Sequence, residues 1–233
     1  MKKWMWLGFT ALAVVSLSAC DNQEDTVDAE KTIISDFETG TDEWTGGFTD
    51  YSTAQDSIME FKLERASLPT ALDASKKAMK IEGMNRSDDM FMFLKRKVTG
   101  LDPNRTYKVS YEIDLGTDYP ANSVGIGGSP GSSVYLKAGA SPNEPVKKLE
   151  GDFYTVTIDK GQQANGGKEM VVIGNVSNGV EDFVYKLVKR TTGEVPVSVK
   201  PNANGEIWLC VGTDSGFEGK TTLYYDKIKA VIK

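Results

Sequence analysis

The feature that most constrains the fold is a strict two-residue alternation in residues 107–114 (YKVSYEID). Tyr107, Val109, Tyr111 and Ile113 are apolar, and a polar residue follows each of them. Successive side chains of a β-strand point to opposite faces of the sheet. The pattern therefore predicts a strand with one buried and one solvated face, which is typical of antiparallel sheets.

Similar short segments recur along the chain after residue 31, and runs rich in Gly, Pro, Asn and Asp separate them. We expect strands in residues 33–37, 58–63, 79–82, 91–98, 134–138, 153–158, 170–173, 183–188, 207–211 and 223–232. Residues 66–77 are the one plausible helix, and Pro69 disfavours it. About a dozen short strands with regular turns predict an all-β sandwich.

The N-terminus has the composition of an export signal. A basic start (Met1 to Lys3) precedes an apolar run over residues 4–17, followed by Ser18, Ala19 and Cys20. The run is shorter than the roughly 20 residues that span a bilayer, and small residues before a cut mark an export signal. The segment resembles the lipobox of bacterial lipoproteins. This resemblance implies removal of residues 1–19 and attachment of palmitate-type chains to Cys20.

The lipoprotein resemblance also sets the predicted location and domain limits. Stable membrane anchoring needs more than one acyl chain, and the family's several chains meet that condition. We expect the cell envelope, with the domain outside the cytoplasm. Residues 20–30, with the sequence CDNQEDTVDAE, are too polar to fold and predict a flexible tether. Residues 31–233 are then expected to form a single domain.

The composition excludes several function classes. The chain has no histidine, which excludes Ser-His-Asp and Cys-His catalytic triads. Enzymes that use carboxylate pairs remain open, but we expect no catalysis. The net charge is −6 and there is no basic stripe, which argues against a nucleic-acid partner.

The two cysteines predict a fold without a disulfide. With Cys20 lipidated, Cys210 has no partner in the chain. Cys210 lies in an apolar run over residues 207–211, so we expect it to be a small buried hydrophobic residue.

The two ends of the predicted domain resemble jelly-roll carbohydrate-binding modules. Residues 36–40 (DFETG), with Trp44 soon after, are similar to their first strand, and residues 223–228 (LYYDKI) to their last. The resemblance implies a jelly-roll sandwich whose terminal strands pair, with a structural calcium ion beside them. The matching positions are Glu38 and Asp226. Alternatively, these two are ordinary carboxylates at strand edges.

The middle of the chain offers a second kind of resemblance. Residues 85–93 (NRSDDMFMF) and 125–131 (GIGGSPG) are similar to segments of bacterial envelope lipoproteins of unassigned activity. The glycine-rich segment lacks the ending of a phosphate-binding loop. It predicts a tight, bulged connection between two strands, or a loop whose backbone approaches a ligand.

Six residues are candidates for ligand contacts because they place charged, amide or aromatic groups near these segments. They are Asn85, Arg86, Asp88, Asp89, Tyr135 and Lys137. Arg86 offers a planar donor pair to an acidic group, or pairs with Asp88 or Asp89. Alternatively, Asp88 caps a turn.

Tyr135 and Lys137 share one face of a predicted strand, because they are two residues apart. An aromatic ring beside a donor suits sugar recognition. A lysine also protects an edge strand, which is the interpretation that we favour.

These observations predict a lipid-anchored, non-catalytic module that binds carbohydrate or another envelope polymer. The alternatives are a structural or protein-interaction lipoprotein and a glycan-active enzyme with a carboxylate pair. The identity of any protein partner is left open by the sequence.

Overall fold

The computed structural model describes Met1 and residues 30–233. The predicted export signal, Cys20 and nearly all of the tether lie outside the described residues. No helix in the described part of the chain is long and apolar enough to cross a membrane. Strands make up nearly half of the described chain. They are β1 (Lys31–Ser35), β2 (Thr45–Thr49), β3 (Tyr51–Ser52), β4 (Lys62–Ser67), β5 (Lys77–Met84), β6 (Met90–Val98), β7 (Tyr107–Thr117), β8 (Val134–Ser141), β9 (Lys147–Glu150), β10 (Phe153–Val156), β11 (Met170–Asn175), β12 (Lys186–Thr191), β13 (Val197–Val199), β14 (Ile207–Ser215) and β15 (Lys220–Ile232).

Eight of these strands form a jelly roll. The first sheet has the order β12-β7-β15-β5, and the second has the order β11-β8-β14-β6. All the pairs are antiparallel. Apart from β8 and β11, successive strands of the eight lie in opposite sheets, which is the interlocked Greek-key arrangement of a jelly roll. The predicted all-β jelly-roll sandwich is confirmed.

The remaining strands extend these sheets or cover them. β4 pairs with β5, β13 with β7, and β2 with β6. β3, β10 and β9 form a small third sheet. The first half of β15 pairs with β5 and its second half pairs with β1, with Lys31 opposite Ile232. The terminal strands therefore pair, as the resemblance implies. Residues 36–40, which were expected in the first strand, instead follow β1 outside the sheet, so that part of the prediction is wrong.

The main core lies between the two large sheets. The four apolar residues of the alternating segment, Tyr107 to Ile113, are all buried there, as predicted. Trp44 is also buried, and its Nε1 donates a hydrogen bond to Ser35 Oγ at 2.9 Å. The indole therefore belongs to the core and its one polar group is satisfied.

A second, smaller core lies on the outer face of the second sheet. Phe91, Phe93 and Cys210 project from that face and pack against Ile158 and Met170. Cys210 is buried, as predicted. Because the chain around residues 157–168 covers this face, β14 is buried on both sides. This explains why its sequence is a continuous apolar run rather than an alternating one.

The predicted helix over residues 66–77 is wrong. This stretch contains the end of β4, a turn and the start of β5. The helical segment of the described chain is instead a 3₁₀ helix, Thr53–Ile58. Ser52 and Gln55 form a capping box at its start. The helix begins where this cap satisfies free backbone donors, a local signal that apolar periodicity does not detect.

The outer face of the first sheet is charged, and Glu82 is the centre of its ion pairs. The Glu82 carboxylate lies 2.9 Å from Lys80 Nζ and 3.4 Å from Lys62 Nζ. The hydrogen bond from Lys80 lowers the pKa of Glu82 below its usual value.

A lowered carboxyl pKa stabilises the fold above the pKa of the unfolded chain, and this contribution is lost as the pH falls through the folded value. We expect Glu82→Gln to lower the free energy of unfolding by about 1 kcal/mol at pH 7. The variant and the wild type should be nearly equal at pH 3. Urea titrations at both pH values test this, with the exposed Glu64→Gln as a control of smaller effect. An equal loss at pH 3 and pH 7 would contradict it.

Candidate functional site

The loops that contain most of the predicted ligand residues meet at one end of the sandwich. Asn85 follows β5, and its Nδ2 donates to Ser215 O at 2.8 Å and to Phe217 O at 2.9 Å. Its Oδ1 accepts from Ser87 N at 3.0 Å. Asn85 is buried and connects the β5–β6 loop to the β14–β15 loop. The geometry gives it a structural role.

Arg86 and Asp88 do not point into a shared site. Arg86 Nε donates to Ile58 O at 3.1 Å, and the guanidinium lies 3.9 Å from Glu60. Asp88 is exposed and has a left-handed backbone conformation, with φ of 72°. The structure therefore shows Arg86 beside the 3₁₀ helix, and the alternative pairing with Asp88 or Asp89 is wrong.

The glycine-rich segment lies in a long loop, residues 118–133, so the predicted tight connection is wrong. Its glycines allow two loops to approach closely. Gly127 has φ of 72°, and a Cβ there would lie 2.3 Å from Gly216 O. Ile126 O accepts a hydrogen bond from Glu218 N at 2.8 Å. The bare backbone contacts the β14–β15 loop.

Tyr135 and Lys137 share a face of β8, but β8 is not an edge strand. It lies between β11 and β14 in the interior of the second sheet. Tyr135 is half-buried, whereas Lys137 is fully buried. Lys137 Nζ donates to Lys160 O at 2.8 Å and to Asn165 O at 3.0 Å. The prediction of a solvent-facing lysine on an edge strand is therefore wrong, because the segment over this face offers it carbonyl acceptors instead of water.

The Lys137 ammonium belongs to a buried ionic cluster. Asp214 Oδ2 accepts hydrogen bonds from Lys137 Nζ at 2.7 Å and from Lys160 Nζ at 2.8 Å. Lys160 Nζ also lies 2.9 Å from Asp50 Oδ2. Carboxylate oxygens of Asp50, Asp89 and Asp214 lie within 4.8 Å of one another. The cluster thus brings three acidic groups and two ammonium groups together, and it includes the predicted residues Asp89 and Lys137.

Burial and repulsion shift the protonation of this cluster. Burial, together with the charge of Asp214, raises the pKa of Asp89 to about 7. Burial also raises the pKa of Asp50, against the attraction of Lys160. The pKa of Lys137 is lowered by burial, whereas Asp214 and Asp50 raise that of Lys160 against the effect of burial. The charged form is therefore favoured more at Lys160 than at Lys137.

The cluster lies at one side of a cavity of about 460 Å³. Asp50, Asp89, Lys160 and the partly exposed Phe153 line it. The three acidic residues are close enough to share a metal ion. Lys160 Nζ already lies between Asp50 and Asp214, so a resident ammonium takes the position of a cation. The geometry fits an ion-pair network.

The sequence interpretation missed Asp50, Lys160 and Asp214. A signal was available only for Asp214, which is the last residue but one of a buried strand. It follows Cys210 and Gly212 at two-residue spacing, and so lies on the same face as Lys137 of the neighbouring strand. An ionisable residue at that position indicates a buried partner.

The two predicted calcium residues lie at a separate cavity of about 340 Å³, which Glu38, Asp226, Asp36 and Lys76 help to line. The pKa of Asp226 is raised, first by burial and then by the charges of Asp114, Glu38 and Asp36. Three carboxylates and the ammonium groups of Lys76 and Lys227 line this cavity, so its charge is net negative. Carboxylate oxygens are the hard donors that calcium prefers. Among the described residues, however, the three carboxylates close enough to share a metal ion are those of Asp50, Asp89 and Asp214.

Trp208 provides a third site, on the outer face of the second sheet. It alternates along β14 with the core residues Ile207 and Leu209, so its half-buried ring points outward. The ammonium groups of Lys95 and Lys97 lie 5.6 and 5.5 Å from the ring centroid. Trp208 and Lys97 line a cavity of about 390 Å³. Its other lining residues are Glu43, Thr45, Thr99 and Glu144.

A second, more apolar cavity of about 350 Å³ lies beside it. Gly46 and Gly47 of β2 line this cavity, and the residue before them, Thr45, lines the Trp208 cavity. Phe48 and Phe61 stack on one another with ring centroids 4.6 Å apart and also line it. The two cavities extend along the same edge of the second sheet.

Comparisons with known proteins give only distant likenesses. No family model and no curated protein matches the chain. Among solved structures, the carbohydrate-binding module TmCBM27, described for specific mannan recognition, is 12% identical. The likeness covers 88% of this chain and 99% of that module, with a TM-score of 0.42. A module specific for non-crystalline cellulose, CBM28, is 11% identical. It covers 82% of this chain and 89% of that one, with a TM-score of 0.36.

The likenesses extend beyond binding modules. The enzymatically active domain of bacteriophage CBA120 tailspike protein 4 is 7% identical and covers 80% of this chain. The chain spans only 19% of that protein, with a TM-score of 0.35. These distant likenesses concern the fold alone.

Proposed function

We propose that this chain is a non-catalytic carbohydrate-binding module, held on the bacterial cell envelope by a lipidated Cys20. The observation that supports it best is the outward-facing Trp208 in a cavity with polar walls. A sugar ring has an apolar C–H face and a rim of hydroxyl groups. A tryptophan ring offers flat apolar area for the face, while a few well-placed polar groups fix the orientation of a ligand.

The polar groups around Trp208 include both donors and acceptors, and a sugar hydroxyl can bond to either. Lys97 is a hydrogen-bond donor that pairs with Glu206 at 3.2 Å. The Glu43 and Glu144 carboxylates are acceptors that pair with Arg96 and Lys95, and their remaining lone pairs can accept from a hydroxyl. The glutamates have exposed side chains, 79% for Glu43 and 47% for Glu144, so a ligand reaches them without a rearrangement of the core. This combination of stacking surface, donors and acceptors favours a neutral sugar.

The neighbouring aromatic cavity extends the surface for a longer ligand. Thr45 and Gly46 are consecutive, and Lys95 lies between the Trp208 ring and the second cavity. An oligosaccharide that stacks on Trp208 would reach Phe48 and Phe61 along the same edge. We therefore propose that the module binds a chain of sugars rather than a single one.

The first described strand begins beside the proposed binding surface. Lys31, the first residue of β1, donates from Nζ to Thr99 O at 2.6 Å, and Thr99 lines the Trp208 cavity. A lipid on Cys20 would therefore be connected to the domain through a strand that starts near this surface.

Binding assays on the described domain test this function. Glycan binding that depends on Trp208 is the expected result. Hydrolysis of a bound glycan would indicate the glycan-active enzyme instead. Absence of binding to any glycan would favour the structural or protein-interaction lipoprotein.

The anchor is tested separately from the ligand. We expect metabolic labelling with an acyl-chain analogue to label the wild-type chain, and Cys20→Ala to remove the label. The variant should also move from the membrane to the soluble fraction. An unlabelled wild-type chain in the cytosol would contradict the anchor and leave the glycan site untested.

We propose that calcium binds at Glu38 and Asp226 and stabilises the pairing of the terminal strands. Calcium would offset the repulsion among these carboxylates. We expect calcium chloride to raise the melting temperature of the wild type above its value in chelator. The double variant Glu38→Gln, Asp226→Asn should melt at one temperature in both. An unshifted wild type would rule out the site.

A further inference from the structure

We propose that Lys137 and Asp214 join covalently, through an amide bond between Lys137 Nζ and Asp214 Cγ, with Asp89 carrying the protons. Such an intramolecular isopeptide bond would connect β8 to β14 across the second sheet. The proposal is independent of the glycan site.

The first support is the placement of the two reacting groups. Both side chains are fully buried, and Lys137 Nζ lies 2.7 Å from Asp214 Oδ2. The register sets Gly212 opposite Lys137, so Asp214 is two residues further along the same face of the neighbouring strand. Two neighbouring strands therefore hold the amine and the carboxyl in contact. Bringing two reacting groups together is a large part of the barrier to bond formation, and the fold has already done this.

The second support is a pair of oxygen atoms without a donor. Asp214 Oδ1 and Asp89 Oδ1 are both buried and have no hydrogen-bond partner. Unpaired buried acceptors are costly, and a proton shared by the two carboxyls would satisfy both. Burial and the neighbouring Asp214 charge favour the protonated form of Asp89, whose pKa is about 7. Asp89 is thus an acid with a carboxyl oxygen within 4.8 Å of the carboxyl that would react.

The Lys137 amine has the complementary property. Burial lowers its pKa, which favours the neutral amine that a nucleophile must be. A proton passes from Lys137 Nζ to Asp214 Oδ2 along their hydrogen bond. The nitrogen lone pair then attacks Asp214 Cγ, while the Asp89 proton stabilises charge on Oδ1.

The step balances without any oxidant, reductant or further reactant. One C–N bond forms and one C–O bond of Asp214 breaks. Asp89 gives its proton to Oδ2, which leaves as water with the proton that it took from Lys137, and the Asp89 carboxylate then accepts the second proton of the nitrogen. The amide nitrogen retains one hydrogen, and Asp89 ends protonated as it began.

The surroundings favour the product. A buried ammonium and a buried carboxylate are replaced by a neutral amide, which removes the desolvation cost of both charges. Lys160 keeps Asp50 as its partner at 2.9 Å. The remaining charges are therefore still paired after the bond has formed.

Lys160 also contacts Asp214, at 2.8 Å, but it is the poorer nucleophile. Its ammonium is shared with Asp50, and both carboxylates raise its pKa. The chemistry therefore assigns the bond to Lys137.

Peptide mapping of the full purified chain by mass spectrometry tests the proposal. Modification blocks tryptic cleavage after Lys137, so residues 109–147 should appear joined to residues 191–220. The branched peptide should be lighter than its two parts by the mass of one water, and its fragments should place the link at Lys137 and Asp214. Finding only separate linear peptides, with cleavage after Lys137, would overturn the proposal.

Variants at two neighbouring aspartates test the part played by Asp89. Asp89→Asn should lower the fraction of branched peptide at least tenfold while the far-ultraviolet circular dichroism spectrum stays unchanged. Asp88→Asn is the matched control, because Asp88 is exposed and its left-handed backbone suits asparagine. An unchanged branched fraction in Asp89→Asn would remove Asp89 from the reaction, whereas an unfolded variant would leave the wild-type map as the deciding result.

Discussion

Replacing Asp214 by alanine is expected to lower the free energy of unfolding by about 3–5 kcal/mol. Asp214 Oδ2 accepts hydrogen bonds from Lys137, Lys160 and the backbone of Gln163. Without the carboxylate, Lys137 becomes a fully buried ammonium with only carbonyl acceptors. A buried charge without a counter-ion is among the most destabilising features a fold can contain.

Guanidinium titration followed by tryptophan fluorescence measures this effect. Glu181→Ala is the matched control, since Glu181 is an exposed acidic residue outside the cluster. The control should change the free energy of unfolding by less than about 0.5 kcal/mol. A loss of less than about 1 kcal/mol in Asp214→Ala would show that water already reaches the cluster.

Replacing Trp208 by alanine is expected to weaken glycan binding at least tenfold, or about 1.4 kcal/mol. The ring supplies the flat surface of the cavity, while its neighbours Lys97 and Glu144 supply polar contacts. Because the ring lies on the outer face of β14, its loss should leave the core intact. Trp208→Phe should retain part of the affinity, since a smaller ring still stacks.

Tyr224→Ala is the matched control for this binding prediction. Tyr224 is a half-buried aromatic residue on the outer face of the first sheet, where its ring contacts Tyr185 edge-on at 5.8 Å. Calorimetric titration should give the same affinity for this variant and the wild type. An equal affinity for Trp208→Ala would place the site elsewhere, with the cavity near Phe153 as the next candidate.

The sequence was sufficient to predict which residues form the main core. It was insufficient to predict which segments cover the outer face of the second sheet. Alternation in residues 107–114 identified the buried face of β7, because the order of apolar and polar residues within a single strand shows which of its faces is buried. Lys137 shows the limit of that argument. Its burial depends on Lys160 and Asp214, which are 23 and 77 residues away in the sequence. Local pattern identifies a polar face but not what later folds over it.

β2 was missed for a different reason. It contains Gly46 and Gly47, and glycine is depleted in strands. A Cβ at Gly46 would lie 2.2 Å from Phe93 O, so the close approach of two strands requires glycine where propensity argues against a strand. The proposed binding edge therefore lies along a strand that sequence patterns do not reveal.

Screening residues 30–233 against a glycan array, followed by calorimetric titration of each hit, is the decisive measurement of carbohydrate binding. We expect binding to at least one class of oligosaccharide, with an affinity that rises with chain length and is lost in Trp208→Ala. Binding to no glycan by a domain that melts cooperatively would contradict it.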